Sequence, residues 1–473
     1  MRQVTATRDE PRDADVVLPS HDDPVVRAGS ELIGGPVGRH AEVRGPSGWW
    51  TPLRVMLAMV FVVSGLGIVE KEHCREHGWG APGDFFHGCY SDIPALFFGR
   101  GLSDGDVPYV HQTEDHTVEY PVLTGAAMWV TAKLVPSDGS PDSRARWYFD
   151  INALALAMCA GVVVLATMKT AGRRPWDAAM VALAPGLLLA GTINWDLYAV
   201  ALLGLGMWAW ARRKPVAAGA LIGLAAAAKF YPLFVLGPLL LLCWRAGKMR
   251  EFWTATGAAV VAWAVVNVPV MIADFHGWSK FYRLSQERGA GFSSVWFLLQ
   301  QQHHGVPGKW LNPLAGGLFV VACVAIAYVA LRAPRRPRLP QLAFLTVAAF
   351  LLTNKVYSPQ YVLWLIPLAV LARPRWRDFL IWQAAEAVHF FGIWMLLAGY
   401  PPGRPSRGLN DQPYGMTVAV HIAGTVWLCW VIVRDIYSPE HDPVRAGGDD
   451  DPAGGVLDGA PDARLIPTGD FGR

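Results

Sequence analysis

The sequence predicts an all-α polytopic membrane protein with about twelve transmembrane helices. Of its 473 residues, 53% are hydrophobic and only 17% are charged, a balance too apolar for a set of soluble domains. Long apolar segments alternate with polar loops, and every second loop is strongly basic. Because basic loops remain cytoplasmic, the pattern predicts a plasma-membrane protein with both termini inside the cell and the other loops outside.

The apolar segments give the helices in chain order. We predict them at about 53–70, 149–168, 176–193, 196–211, 215–229, 231–244, 252–272, 313–331, 341–354, 359–372, 378–398 and 414–434. Several are shorter than the roughly 20 residues of a full span, so tilting or local bilayer thinning is expected. No secretory cleavage site precedes the first segment, which is therefore expected to remain as an anchor.

The basic residues that set the topology lie in alternate loops. They are Lys169, Arg173, Arg174, Arg212, Arg213, Lys214, Arg245, Lys248, Arg250, Arg332, Arg335, Arg336, Arg338, Arg373, Arg375 and Arg377. The net charge of +3 reflects this arrangement and gives no case for nucleic-acid binding.

One apolar stretch, 120–136, does not fit this alternation. Counting it as a crossing would place the later arginine-rich loops outside, so we interpret it as an interfacial or re-entrant helix. The first external region then covers 71–148 and the second covers 273–312. External loops of this length, with helices of their own, are usually functional.

The two terminal segments differ in composition from the middle of the chain. Residues 1–50 and 439–473 are rich in charged residues, Pro and Gly, so we predict disordered cytoplasmic tails flanking a membrane domain at 51–438.

Two of the six cysteines, Cys74 and Cys89, lie in the first external region. Oxidising conditions there favour a disulfide, and two free thiols are the alternative. A metal pair has no support from CxxC or HxxxH spacing. We therefore expect no metal or other cofactor, although a divalent ion stays possible.

Asp92 follows the first membrane helix in the sequence Tyr90-Ser91-Asp92-Ile93-Pro94. An aspartate at the membrane surface can accept a proton from a sugar hydroxyl that attacks a lipid-linked donor, as a general base. An aspartate before Pro94 is also a common helix N-cap. The spacing alone leaves the two interpretations even.

Other polar residues occupy the same predicted face. Glu119 and Tyr120 close the first external region, and an interfacial tyrosine before a helix-starting proline explains them equally well. Asn194 and Asp196 lie at an external turn, where the Asp196 carboxylate suits a sugar hydroxyl, a metal or simple capping of the turn.

Lys229 and Lys355 each follow a long apolar run at the external end of a helix. A cation there can hold the phosphate of a lipid whose tail lies in the bilayer, and snorkelling to the interface is the alternative.

Glu386 and His389 share one face of a predicted membrane helix. Ionisable groups in that setting are rarely kept without a partner or a cavity, so we assign His389 to donor binding or proton handling, with pairing to Glu386 as the alternative.

Several short motifs together resemble glycosyltransferase family 87, the polyprenyl-phosphate-dependent mannosyltransferase-like proteins of the type C glycosyltransferase superfamily. The resemblance covers about 53–435 and rests on Tyr90-Ser91-Asp92, Glu119-Tyr120-Pro121, Asn194-Trp195-Asp196, Lys229-Phe230-Tyr231-Pro232 and Asn354-Lys355-Val356-Tyr357-Ser358-Pro359-Gln360-Tyr361. Val122 departs from the second proline that many relatives have after Tyr-Pro.

The resemblance implies a type C glycosyltransferase-like helical bundle that transfers a sugar, with inversion, from a polyprenyl phosphate to a glycolipid or glycan hydroxyl outside the cell. Asp92 would be the catalytic base, Lys355 and Lys229 would bind the donor phosphate, and the substrate-binding residues would be Tyr90, Glu119, Tyr120, Asn194, Asp196, Tyr357 and Gln360. Mannose is the first choice of sugar and arabinofuranose the second. A transporter or lipid flippase, or a non-catalytic protein that binds lipid-linked sugars, are the alternatives.

Overall fold

The computed structural model describes residues 16–19, 22–32, 50–110, 112–113, 115–399 and 408–463, and within these residues every regular element is helical. The predicted fold class, an all-α polytopic membrane bundle, is confirmed. Six helices among the described residues are long and apolar enough to cross a membrane: Pro52–Glu70, Pro141–Thr170, Met249–Ala273, Gly308–Arg332, Trp376–Ala398 and Asp411–Tyr437.

The α-helices follow one another in this order: α1 Pro24–Leu32, α2 Pro52–Glu70, α3 Glu72–His77, α4 Gly83–Phe86, α5 Asp92–Gly99, α6 Val122–Ala132, α7 Pro141–Thr170, α8 Ala179–Ala182, α9 Pro185–Ala190, α10 Asp196–Ala211, α11 Pro215–Ala228, α12 Leu236–Arg245, α13 Met249–Ala273, α14 Phe275–Glu287, α15 Val295–Gln301, α16 Gly308–Arg332, α17 Leu339–Thr353, α18 Val362–Ala372, α19 Trp376–Ala398, α20 Asp411–Tyr437 and α21 Pro443–Ala446. Short 3-10 turns lie at Leu102–Asp104, Pro175–Ala178, Tyr231–Val235, Pro359–Tyr361, Pro439–His441 and Gly455–Leu457.

The predicted helix at 176–193 is the one that the structure breaks. A 3-10 turn and α8 end at Ala182, and α9 begins only at Pro185. Ala184 is extended, with φ −62° and ψ 123°, because a residue before proline is kept out of the helical region. Every other predicted membrane helix is present with similar bounds.

The connecting loops gather at two ends of the bundle. At the first, which we call the Asp92 end, the Asp92 amide donates to the Ile193 carbonyl at 2.8 Å and the Gly291 amide donates to the Lys355 carbonyl at 2.7 Å. The second, the arginine end, consists of the loops around 173, 213, 246, 336 and 374. The described N-terminal residues also lie there, since the Val17 amide donates to the Arg173 carbonyl at 2.8 Å.

The C-terminal segment corrects the prediction of a disordered tail at 439–473, because residues 439–463 fold onto the arginine end. Their carboxylates form ion pairs with three loops: Asp442 with Arg338, Asp449 with Arg173, and Asp462 with Arg245 and Arg336. Local composition could not show this charge complementarity with distant loops. Residues 464–473 and most of the predicted N-terminal tail lie outside the described residues.

Helices α11 and α13 pack unusually closely because two glycines face the neighbouring backbone. A Cβ at Gly219 or Gly223 would collide with the carbonyl oxygen of Ala255 or Ala259. Small residues in such positions let membrane helices approach each other. This packing fixes the position of Lys229, which follows the last residue of α11.

The first long loop is anchored at several points on the Asp92 end. Cys74 and Cys89 form a disulfide bond in the structure, and the Tyr109 hydroxyl donates to the carbonyl oxygens of Tyr120 and Pro121 at 2.8 and 3.0 Å. Helix α6, within the stretch 120–136, has 11 residues and extends about 16 Å, roughly half of a bilayer core of about 30 Å.

Candidate active site

Asp92 is the first residue of α5, and its backbone is held by the α9–α10 turn. Ser91 caps the helix, since its hydroxyl accepts from the Ile93 amide at 3.2 Å and donates to the Thr192 carbonyl at 2.7 Å. The N-cap alternative for Asp92 is therefore wrong, because the capping side chain belongs to its neighbour. The Asp92 carboxylate is left to face the other polar groups at this end.

Two tyrosine hydroxyls hold the Asp92 carboxylate. Tyr90 donates to Oδ1 at 2.7 Å and Tyr120 donates to Oδ2 at 3.3 Å. Asp92 keeps part of its surface exposed to solvent, and a carboxylate can accept about four hydrogen bonds. The carboxylate can thus accept a further hydrogen bond from a bound molecule.

The surroundings of Asp92 change its affinity for protons. Burial raises the pKa of Asp92 above its ordinary value, and hydrogen bonds from Tyr90, Asn194 and Tyr120, together with the charge of Lys229, only partly offset this increase. A carboxylate with a raised pKa is a better base than an ordinary aspartate and remains ionised above its pKa.

A buried ion pair lies next to the Asp92 carboxylate. Lys229 Nζ is 3.1 Å from Asp196 Oδ1, and the Trp364 indole N–H donates to the same oxygen at 2.8 Å. The Asp196 side chain is fully buried and that of Lys229 nearly so. Lys229 also faces the rings of Tyr120 and Tyr361, at 5.1 and 5.8 Å from their centroids. The lysine cation is therefore held in place from several directions.

The predicted turn at 194–196 is capped by its own side chain and lies beside Asp92. The Asn194 side-chain oxygen accepts from the Asp196 amide at 3.1 Å, which is the local turn capping that the sequence allowed. The same side chain lies near Asp92 and helps to limit the increase in the pKa of that carboxylate. Trp195 between them donates to Asn152 Oδ1 at 2.7 Å and contacts the Tyr120 ring edge-on. Asn194 and Asp196 thus both belong to the Asp92 cluster.

An aromatic stack forms one wall of this cluster, and sequence reasoning missed it. Trp364 lies between Tyr231 and Tyr361, with ring centroids 4.2 and 4.0 Å away. Tyr231 and Tyr361 belong to the same short motifs as Lys229 and Lys355, which was the available signal. Trp364 lies inside an apolar helix and was indistinguishable from a core residue. Asn152, a buried polar residue in α7, was missed for the same reason.

Glu119, which the sequence analysis assigned to substrate binding, contacts an arginine of its own loop. It forms a two-pronged ion pair with Arg100, whose Nη2 is 2.7 Å from Oε1. Arg100 also donates to the Asp115 carbonyl at 3.2 Å. The observed contacts of Glu119 therefore hold the first long loop together beside Tyr120.

Lys355 lies at the same end but contacts other residues. Its Nζ donates to the Gln286 carbonyl at 2.8 Å, and burial together with the charge of Arg288 lowers the pKa of Lys355. In the part of the chain that the structure describes, no carboxylate forms an ion pair with Lys355, and no hydrogen bond joins it to the Asp92 cluster. Arg288 likewise has no ion pair with a carboxylate among the described residues, and two such neighbouring cations suit the binding of an anion.

The remaining predicted site residues lie deeper in the bundle. His389 is fully buried and stacks on His421 at 4.1 Å, and the Tyr357 hydroxyl lies 3.5 Å from Glu386 in the same cluster. Gln360 is buried beside Tyr361. The predicted site residues thus fall into three groups: the Asp92 cluster, the Lys355 region and the His389 cluster.

A family model described as Glycosyltransferase family 87 matches residues 119–354, about half of the chain. This range contains Tyr120, Asn194, Asp196 and Lys229 of the Asp92 cluster, while Asp92 precedes it and Lys355 directly follows it. A comparison with curated proteins gives no match.

Proposed function

Because the chain belongs to glycosyltransferase family 87, we propose that it moves a sugar, mannose first, from a polyprenyl phosphate to a hydroxyl of a glycolipid or cell-envelope glycan. The family itself indicates a membrane glycosyltransferase. The donor, the acceptor, the external site and the inverted stereochemistry are our proposal, and the argument for them rests on the Asp92 cluster.

The single observation that carries the proposal is the setting of the Asp92 carboxylate. It is partly exposed, oriented by two tyrosine hydroxyls and adjacent to a buried cation. General-base catalysis needs a group that reaches the substrate, stays ionised at working pH and binds the proton firmly enough to remove it. Asp92 suits this role, since its carboxylate is partly exposed to solvent and its raised pKa increases its affinity for the proton.

In the proposed reaction, the acceptor hydroxyl donates a hydrogen bond to Asp92 while its oxygen attacks the anomeric carbon of the donor. The new carbon–oxygen bond forms as the bond between the anomeric carbon and the phosphate oxygen breaks. The proton passes to Asp92, and polyprenyl phosphate leaves with the bonding electron pair. Attack from the side opposite the phosphate inverts the anomeric configuration, and the step balances without a redox partner.

Lys229 supports this step through its charge. Asp196 holds the ammonium group 3.1 Å away, so the cation stays beside Asp92 whether or not substrate is present. Its charge stabilises the ionised form of Asp92 and limits the increase in its pKa. We therefore assign Lys229 to the positioning of the base and not to the donor phosphate, and Asp196 to holding Lys229 in place.

Lys355 with Arg288 is the better candidate for binding the donor phosphate. Both are cations at the Asp92 end, Arg288 is exposed, and burial disfavours the charge on Lys355 until an anion compensates it. A phosphate between them would be stabilised as negative charge develops on the leaving oxygen. The lipid tail would remain in the bilayer alongside the apolar helices.

The basic loops support a proposal for which side of the membrane each end of the bundle faces. They collect at the arginine end, together with the described parts of both termini, and basic loops remain cytoplasmic. We accordingly propose that the arginine end and both termini are cytoplasmic and that the Asp92 end faces outwards in the plasma membrane, where it meets membrane lipids, the lipid-linked donor and the acceptor.

The test is sugar transfer by the purified full chain in detergent, with synthetic polyprenyl phosphate mannose and a panel of glycolipid acceptors. Wild-type protein and Asp104→Asn, which changes an exposed carboxylate in the same loop, should transfer mannose. Asp92→Asn should lose about 10²- to 10⁴-fold in rate, the usual contribution of a general base. Full activity of Asp92→Asn would refute the assignment of the base.

The same preparation separates the competing functions. Transfer from the arabinofuranosyl donor and not from the mannosyl donor would replace the sugar while keeping the mechanism. Movement of the lipid-linked sugar across proteoliposomes without any transfer would favour a flippase. Binding of the lipid-linked sugar with neither transfer nor movement would favour a non-catalytic protein.

A further inference from the structure

A second polar cluster lies inside the bundle between α19 and α20. It consists of Glu386 and His389 on α19 and His421 on α20, and all three side chains are buried. Their ligand atoms all lie within 4.8 Å of one another. The glycosyl transfer described above makes no use of these residues.

His421 presents a lone pair to the cluster. Its Nε2 lies 3.2 Å from the Ser293 carbonyl, and a carbonyl can only accept, so Nε2 carries the hydrogen and Nδ1 is left as an acceptor. That Nδ1 faces Glu386 Oε2 at 3.5 Å. Two acceptors that face each other in a buried site repel unless a proton or a metal cation lies between them.

His389 adds two further unused ligand atoms. Neither its Nδ1 nor its Nε2 has a hydrogen-bond partner in the described residues, although the side chain has no exposed surface. Its ring lies 4.1 Å from that of His421. Buried side-chain nitrogens are nearly always paired, so an unpartnered histidine facing another histidine and a carboxylate indicates a missing ligand.

The other side of Glu386 is already oriented, as metal-binding carboxylates usually are. Its Oε1 accepts from the Thr425 hydroxyl at 3.1 Å and from the Trp382 indole at 3.2 Å. Outer hydrogen bonds of this kind, like the one from His421 to Ser293, fix the direction of the inner lone pairs. Oε2 is thereby directed towards the two histidines.

We propose that Glu386, His389 and His421 bind one divalent transition-metal ion, with Zn²⁺ the first choice. Two imidazoles and one carboxylate are a ligand set that suits zinc, with a fourth position for water or another ligand. Ligand atoms around tetrahedral zinc lie about 3.4 Å apart. Binding therefore draws the three residues together by about 1 Å and turns one of the stacked rings, so that the nitrogen lone pairs converge on the ion.

The ion would stabilise the segment that carries Lys355. The Tyr357 hydroxyl lies 3.3 Å from the Thr425 hydroxyl and 3.5 Å from Glu386, and Tyr357 is two residues beyond Lys355. A bound ion that fixes Glu386 also fixes this contact. The role is structural and does not depend on the proposed sugar transfer.

Metal analysis of the full chain tests the site directly. The protein is purified in detergent with a tag that contains no histidine, treated with a chelator, reloaded with Zn²⁺, desalted and analysed by elemental mass spectrometry. Wild type should retain one zinc per chain, and His389→Ala and His421→Ala should each lose it. His87→Ala is the matched control, because His87 belongs to a separate stack with His73 and His77 in the first long loop.

A second measurement needs no variant, so that misfolding of a mutant cannot obscure the result. Wild type reloaded with Co²⁺ should develop the visible absorption of a tetrahedral cobalt site, and added Zn²⁺ should remove it. Absence of stoichiometric zinc and of the cobalt bands in wild type would overturn the proposal, leaving a protonated His421 beside Glu386 as the explanation. Full zinc retention by His389→Ala would overturn it as well.

Discussion

The hydrogen bond from Tyr90 to Asp92 makes a quantitative prediction about the pH dependence of catalysis. It is the shorter of the two tyrosine bonds, 2.7 Å against 3.3 Å for Tyr120. A hydrogen bond to a charged group contributes about 1.5–3 kcal/mol. Because Asp92 is partly exposed, we take the lower end of that range, which corresponds to about one pKa unit.

The sign of the effect follows from which form of Asp92 is active. Tyr90 stabilises the carboxylate and so lowers a pKa that burial raises. In Tyr90→Phe the pKa of Asp92 should therefore rise further. Since the base must be ionised, activity should disappear at a higher pH, and the acid limb of kcat/KM should move up by about one pH unit. Tyr120→Phe should produce a smaller shift in the same direction.

The assay is the initial rate of sugar transfer at low donor concentration, measured across the acidic range for wild type and the variants. Tyr148→Phe is the matched control, because the Tyr148 hydroxyl donates to the Met128 carbonyl at 3.1 Å and does not contact Asp92. Its acid limb should coincide with that of wild type. If the limb of Tyr90→Phe also coincides with wild type, or moves to lower pH, Asp92 is not the group whose ionisation controls the rate.

Three further predictions follow from the packing and charge of the bundle. Lys355→Gln and Arg288→Gln should each raise the KM for the lipid-linked donor about tenfold or more, because each loses a charge-assisted bond worth about 1.5–3 kcal/mol. Lys309→Gln, at the exposed start of α16, is the control and should leave this KM unchanged. An unchanged donor KM in Lys355→Gln and Arg288→Gln would contradict the phosphate role. Lys229→Met should destabilise the protein by about 3–5 kcal/mol, because it leaves the Asp196 carboxylate buried without its cation. Thermal unfolding in detergent should show that adding Asp196→Asn restores most of that stability, and equal losses in the single and double variants would argue against the pair. Gly223→Leu should lower the free energy of unfolding by about 1–3 kcal/mol or more, because it forces α11 away from Ala259. Gly257→Leu on α13, where a Cβ meets open space, is the control and should unfold like wild type. Equal unfolding temperatures for the two variants would contradict the packing argument.

Much of the fold was predictable because it follows from one-dimensional patterns. The lengths of apolar segments and the alternation of basic loops predicted the order of the helices and the placement of 120–136 at one end of the bundle. The break before Pro185 was missed, although the residue before a proline resists helical geometry. The folded segment 439–463 was missed because Asp442 and Asp462 bind arginines more than one hundred residues earlier in the chain.

The candidate site was predictable where its residues come from recognisable motifs. Tyr90, Asp92, Tyr120, Asn194, Asp196 and Lys229 were all chosen from the sequence, and the structure brings them together. The sequence could not show that Lys355 and His389 lie outside the Asp92 cluster. Helices that end on the same side of a bundle can still place their side chains in different clusters. The sequence also could not identify Trp364, because its neighbours in α18 are apolar and nothing near it in the chain indicates its hydrogen bond to Asp196.

The folded segment 439–463 affects the order in which the protein can fold during synthesis. The segment is translated after α20. The arginines of the earlier loops can therefore form their ion pairs with it only after all the membrane helices have been synthesised. A polypeptide that stops before this segment leaves Arg338 and Arg245, both fully buried, without their ion-pair partners Asp442 and Asp462, which is costly in a folded protein. Loss of this segment should therefore destabilise the whole arginine end and not only shorten the chain.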